Sequence, residues 1–165
     1  VSLAMNPLLQ SVVASLKAGT QTEAIAQIDR VTKFCMDNES DKVFGGWGED
    51  IIRLLVAYHW AKQTLLVDEE DGEIKGMFMW YKCNESDGWE FIHEWKEDRP
   101  DGDAIFLAFL CSVSPASFKR LVVSLLDQEP AIFTHKLFGS RVRNGASTRV
   151  NYSLKLFKKL LSIKA

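Results

Sequence analysis

Disulfide chemistry is the first thing this 165-residue chain has too little cysteine to support. Cys35, Cys83 and Cys111 are odd in number and far apart. Such scatter argues against a disulfide framework or a metal knuckle and suits a reducing compartment, so a cytoplasmic address and no metal are expected. Long apolar runs are missing too. The longest, Ala104–Val113, has the length of a buried strand and falls well short of the ~18 residues of a membrane span, so no membrane partner is expected. The opening residues, VSLAMNPLLQ, lack the basic stretch of a secretion signal. No internal repeat or low-complexity segment is visible. Acidic residues all but vanish from the last third: residues 114–165 carry ten Lys/Arg against Asp127 and Glu129 alone, while residues 1–113 carry ten against twenty Asp/Glu. This gradient can focus an anionic ligand on one end of the domain. A solvated basic helix near the C-terminus accounts for the same composition and suits the helix dipole.

What the chain does hold is enough apolar material for a core. Apolar residues make up 47% and charged residues 25%, as in an ordinary soluble domain. The length fits one domain over residues 1–165. The organising stretch is Thr64–Lys82, TLLVDEEDGEIKGMFMWYK. Two β-rich runs flank Asp71-Gly72, which predicts a hairpin because glycine takes positive φ without steric cost. Ala104–Val113 is apolar without interruption, the pattern of a strand covered on both faces. Ser114-Pro115 then opens a helix, an N-cap followed by proline at the first helical position. Phe118, Leu121, Val122, Leu125 and Leu126 form its apolar stripe, and Glu129-Pro130 ends it.

Three helices are expected before the hairpin. One runs from Asn6-Pro7 to Gly19. A second opens on a Thr20/Glu23 capping box and buries Ile25, Ile28, Val31 and Cys35. The third runs from Asp50 to about Trp60, with Ile51, Leu54, Leu55 and Tyr58 facing inward. Gly45-Gly46-Trp47-Gly48, in the loop before it, is a weak anion-cradle signal without an adjoining Lys and Ser/Thr. After the hairpin, Cys83–Asp103 reads as irregular and acidic, with Trp89, Phe91, His93 and Trp95 alternating as in a short edge strand. Ala131–Phe138 reads as a strand and Asn144-Gly145 as a turn. A closing helix is expected from about Asn151 or Ser153 to Ile163. The sum is an α+β fold, an α/β mixed sheet with helices on its faces: residues 1–60 helical, residues 63–165 the sheet and its cover.

Three stretches together resemble the GNAT-type N-acetyltransferase superfamily. LLVDEEDGEIKGMFMWY looks like that family's hairpin of second and third strands, FLCSVSPASFKRLVVSLL like its central strand-to-helix unit with V-x-P, and NYSLKLFKKLLSIKA like its closing Asn-to-aromatic-Lys-Leu pattern. The resemblance covers about residues 63–83 and 104–165 and implies a GNAT-like acyl-CoA N-acyltransferase fold with extra N-terminal helices. It further implies a divergent member, because two family features are replaced. The Gly-rich R/Q-x-x-G-x-G/A turn for the coenzyme pyrophosphate corresponds to SPASFKRLV, without glycine, and the tyrosine that protonates the leaving thiolate corresponds to Phe157, with Tyr152 five residues earlier.

By that resemblance the cofactor is acetyl-CoA or another acyl-CoA. Its binding residues are Cys111, Ser112 and Val113 at the strand end, Ser117, Phe118, Lys119 and Arg120 at the helix start, and Asn151 and Phe157 near the C-terminus. The acceptor is an amine on a small molecule or a protein. Catalysis needs a base for the amine, for which His93, Glu94 and Asp103 are the candidates, and Tyr152 is the candidate acid. His59 and His135 read as a boundary residue and a strand residue, and Cys111 reads equally as a small buried hydrophobe. Three alternatives stay open. One is a non-catalytic GNAT-fold module for a protein or anionic partner. Another is a transferase fed by an acyl carrier protein docked on the basic end. The last is a nucleic-acid binder using Arg141, Arg143, Arg149, Lys155, Lys158 and Lys159, which the acidic remainder of the chain disfavours.

Overall fold

A computed structural model of the chain describes residues 21–38, 48–87, 99–143, 146–153, 155, 158 and 159. Two helices come first, α1 (Gln21–Asp37) and α2 (Glu49–Lys62). On α1 the buried apolar positions are Ala24, Ile28, Val31, Phe34 and Cys35, a heptad-like stripe. Ile25, expected on that stripe, is instead half exposed, because Ala24 takes the inward position one residue earlier. Helix α2 is buried from Leu54 to His59 without a break, so it lies embedded rather than on the surface. It ends on Gln63 in the left-handed conformation (φ 59°), whose N–H bonds the Trp60 carbonyl.

The hairpin follows as β1 (Leu65–Glu70) and β2 (Glu73–Cys83), paired antiparallel from Leu65↔Met79 to Glu70↔Glu73. Both loop residues have positive φ, Asp71 at 54° and Gly72 at 79°, the combination of a two-residue turn whose twist matches the strands. A short 3-10 turn, Glu85–Asp87, leaves β2; β3 (Ala104–Ser112), α3 (Pro115–Gln128), a second 3-10 turn (Pro130–Phe133), β4 (Lys136–Arg143) and β5 (Ala146–Tyr152) complete the order.

The five strands form one sheet in the order β1-β2-β3-β4-β5, antiparallel throughout except for the parallel pair β3 and β4. The pleat divides the core in two. Met77, Met79, Tyr81, Phe106 and Phe138 point to the face covered by α1 and α2, and Phe78, Trp80, Ile105 and Leu137 to the face covered by Leu121, Val122 and Leu125 of α3. A mixed α+β architecture with a five-stranded mixed sheet is therefore the fold of the described residues. No helix among them is long and apolar enough to cross a membrane.

Two expectations change near the C-terminus. The strand expected over Ala131–Phe138 is a 3-10 turn over Pro130–Phe133 followed by a strand starting at Lys136, because Pro130 sets a helical φ and removes a ladder donor. The segment before the expected closing helix pairs with β4 as far as Leu137↔Tyr152, so Asn151 and Tyr152 belong to β5. The helix expected over Asn6–Gly19, the Gly45–Trp47 cluster and the aromatic alternation Trp89–Trp95 lie outside the described residues.

Candidate functional site

The feature that organises the site is a fork in the sheet. Strands β3 and β4 pair over only four residues, from Ala104↔Lys136 to Leu107↔Gly139. Beyond that point β3 runs on to Ser112 and β4 to Arg143 without pairing to each other. A β-bulge in β3 accounts for the parting. Met79 pairs with Phe109 and Trp80 with Leu107, which leaves Ala108 as the extra residue. An extra residue bends its strand and increases its twist, and Ala108 comes directly after the last residue joined to β4. Each arm keeps its antiparallel partner: β3 stays on β2 as far as Gly76↔Ser112, and β4 stays on β5 as far as Arg143↔Ala146.

Helix α3 begins at the open end of the β3 arm. The Val113 N–H donates to the Lys75 carbonyl (2.9 Å), and the Val113 side chain is exposed. Ser114 is the N-cap: its Oγ accepts from the Ser117 N–H (3.2 Å), and its carbonyl accepts from the Phe118 N–H (3.1 Å). Pro115 has no N–H to offer. Among the described residues, the first turn thus leaves the Ala116 N–H as the donor free to meet an anion.

One of the two cations near the start of the helix, Arg120, is engaged as well. Arg120 makes a bidentate pair with Asp68 on β1 (2.8 and 2.9 Å) and reaches Glu70 (3.4 Å). The Arg120 hydrogen bond holds the Asp68 carboxyl below the usual carboxylate range, against the opposing effect of burial. Ser117 is fully buried with its Oγ against Gly76, and Phe118 packs into the core under α3.

At the apex of the fork stands Tyr152. A Cβ on Gly139 would sit 2.9 Å from Tyr152 Cε2, 3.5 Å from its hydroxyl and 3.0 Å from the Leu107 carbonyl oxygen. The missing side chain at Gly139 therefore lets the phenol lie across β4 at the last β3–β4 pair. The strand pairing explains the lean: Tyr152 is directly opposite Leu137, one diagonal from Gly139.

The far side of Tyr152 borders a cavity of about 310 Å³ at the start of β4, walled by the Pro130–Phe133 turn, the residues up to Leu137 and the end of β5. Its polar wall is a charge cluster. The Glu85 carboxylate accepts from Lys136 and from Arg149 Nη2 (3.4 Å), and Arg149 Nε donates to Asn151 Oδ1 (3.0 Å). The Arg149 guanidinium lies 4.5 Å from the Phe138 ring centroid, a cation–π contact that fixes its plane. The Lys136 ammonium keeps the Glu85 carboxyl below its ordinary range, with Asp103 pushing the other way.

The structure thus brings together Tyr152 and Asn151, and separately Cys111, Ser112, Val113 and the start of α3. Asp103 accepts from the Glu85 backbone N–H (2.7 Å), so it anchors the turn after β2. Cys111 is buried in the core and burial raises its thiol, as it pushes the Cys35 thiol up to about 12. All three cysteines are free thiols. His59, taken for a boundary residue, is fully buried, with Nδ1 2.8 Å from Thr64 Oγ1. His93, Glu94 and Phe157 lie outside the described residues.

Three residues that matter here escaped the reading of the sequence, Gly139, Glu85 and Lys136, and Arg149 was named there only as a candidate nucleic-acid contact. Only Gly139 carried a signal, since an isolated glycine in a strand marks a bulge or a close approach; the others are made neighbours by the fold. Among the described residues, no cluster of His, Cys, Asp and Glu could hold a metal. Compared with protein-family models and with curated proteins, the chain matches none.

Proposed function

We propose that this chain is a GNAT-like N-acyltransferase that moves an acyl group from a CoA-type thioester to an amine, with the fork as its donor slot. The observation that carries the reading is the parting of two parallel central strands beside the start of a helix. Past Leu107↔Gly139 the facing edges of β3 and β4 have backbone N–H and C=O groups unmatched by each other. A linear arm bearing amides, such as pantetheine, can bond those edges much as an added strand would. An arm entering from the open end stops where pairing resumes, at the apex, which puts its thioester beside Tyr152.

The amine nitrogen then attacks the thioester carbonyl carbon, the C–N bond forms, and the C–S bond breaks. The amine gives up one proton to solvent or a base, and the thiolate gains one. Tyr152 is the group placed at the apex to supply that proton, a role that Phe157 cannot fill.

A second reading, a non-catalytic module of the same fold, draws support from the start of α3. Its amides are largely bonded within the cap and Arg120 is held by Asp68, which leaves the Ala116 N–H and Lys119 for a pyrophosphate. The same fact suits a donor whose arm is presented by an acyl carrier protein.

Thermal melting separates these. Acetyl-CoA that binds only the native state stabilises it by about 2.7 kcal/mol at a hundredfold excess over Kd. A clear rise in Tm supports the coenzyme reading. An unchanged Tm at millimolar acetyl-CoA, CoA and longer acyl-CoAs removes it, and a salt-sensitive rise with oligonucleotide alone would favour the nucleic-acid reading.

A further inference from the structure

The cavity on the far side of Tyr152 is lined by no residue of β3 and lies outside the donor slot proposed above. Two of its walls are chemically distinct. One is apolar: Ile132 and Leu137 are buried in its floor, Tyr152 flanks it, and Phe133 stands at its rim with 55% of its surface exposed. An aromatic side chain so exposed beside a concave surface is unspent apolar area. The other wall is the cluster of Lys136, Arg149 and Glu85, in which two cations share one carboxylate. Asp103 stands behind this cluster on the Glu85 backbone and does not line the cavity. Arg149 is oriented by Glu85, by Asn151 and by the Phe138 ring, so its remaining N–H groups are held in place before any ligand arrives.

We propose that this cavity is the acceptor pocket, and that it takes a compact amine whose other end is a carboxylate on an apolar or aromatic body, the chemistry of an apolar α-amino acid or its derivative. The proposal rests on the transferase reading for the word acceptor, and on the cavity alone for the ligand class. The carboxylate sits on Arg149 and Lys136, where the local charge has room for one more anion. The apolar body lies on Ile132, Leu137 and Phe133. At about 310 Å³ the cavity falls at the small end of ligand pockets, which suits a compact ligand. Tyr152 belongs to the pocket and to the apex of the fork, so an amine held here approaches a thioester in the slot from the side opposite the donor's entry. One proton leaves the amine as the C–N bond forms and one reaches the sulfur as the C–S bond breaks, with no change of oxidation state.

The test is a titration of the full chain, followed by two-dimensional ¹H–¹⁵N NMR, with three probes: L-phenylalanine, 3-phenylpropionate and phenethylamine. The two carboxylates should shift the backbone signals of Phe133, Arg149 and Tyr152, and phenethylamine should bind about tenfold more weakly or worse, the loss of one charge-assisted contact. Arg149→Gln should remove the preference for carboxylates. Should that variant fail to fold, Lys136→Gln, at a side chain 68% exposed, should weaken both carboxylates without harming the core. Phenethylamine binding as tightly as the carboxylates, or no shift at those three residues with millimolar probe, would overturn the pocket. Carboxylate binding in a protein that ignores acetyl-CoA would keep the pocket and overturn the acceptor role.

Discussion

The two halves of the sheet differ in how they are joined. From β1 to β3 the strands are antiparallel neighbours paired nearly end to end, and the rings of Tyr58, His59 and Tyr81 pack behind them. From β3 to β4 the strands are parallel, paired for four residues, and then separate. One half is built for stability and the other gives stability up over half its length. Past Leu107↔Gly139 the facing edges give each other no hydrogen bonds, and backbone groups kept from water need partners elsewhere. A donor arm in the fork, as proposed, would supply such partners.

The largest effect should come from the residue that ties the halves together. Phe106 is fully buried and lies 6.3 Å from the Tyr81 ring and 5.2 Å from the Phe138 ring by centroid. Phe106→Ala should cost about 3–5 kcal/mol, read from the urea midpoint. A loss under about 1 kcal/mol would mean that the halves hold independently.

Acid should weaken the fully paired half next. Burial pushes His59 down to about 3, against a smaller upward pull from hydrogen bonding toward Trp80 and Thr64. The folded state thus holds the ring neutral while the unfolded chain takes a proton below about 6.5. Stability is complete above that pH and falls by about 1.4 kcal/mol for each unit below it, toward pH 3. His59→Gln should flatten that slope in denaturation measured between pH 7 and pH 4.5; an unchanged slope would assign it to carboxylates.

At the apex, Gly139→Val should cost about 1–3 kcal/mol through overpacking against Tyr152 and the Leu107 carbonyl, and it should move the Tyr152 ring signals. Stability loss without a change at Tyr152 would mean that β4 yields and the ring does not. The smallest change is Gly72→Ala in the hairpin, where φ is 79° and nothing stands near the absent Cβ. It should cost about 1 kcal/mol in the same denaturation assay, from backbone strain alone. The contrast sharpens the comparison: at Gly72 glycine serves the local chain, and at Gly139 it serves a distant residue.

The same contrast governs what the sequence could disclose. The hairpin, the start of α3 and the apolar strand β3 were legible because each is written in adjacent residues: Asp71-Gly72, Ser114-Pro115, and an unbroken apolar run. The strand after Pro130 was placed too early, since apolar character there continues through a 3-10 turn. The sequence leaves the closing helix to start at Asn151 or Ser153, because the strand partners of Asn151 and Tyr152, Phe138 and Leu137, lie far away in the chain. Arg120 reads as a phosphate ligand in the sequence, and the fold sets Asp68, fifty-two positions earlier, opposite it.

By itself the sequence determined the hairpin, the apolar strand β3 and the capped start of α3, because capping, turn chemistry and apolar runs act over a few neighbouring residues. The tertiary structure alone decided that β3 and β4 part after Leu107, that Tyr152 crosses Gly139, and that Glu85, Lys136 and Arg149 share one wall. Those outcomes depend on strand register, and register is settled by contacts between residues whose separation along the chain leaves no local trace.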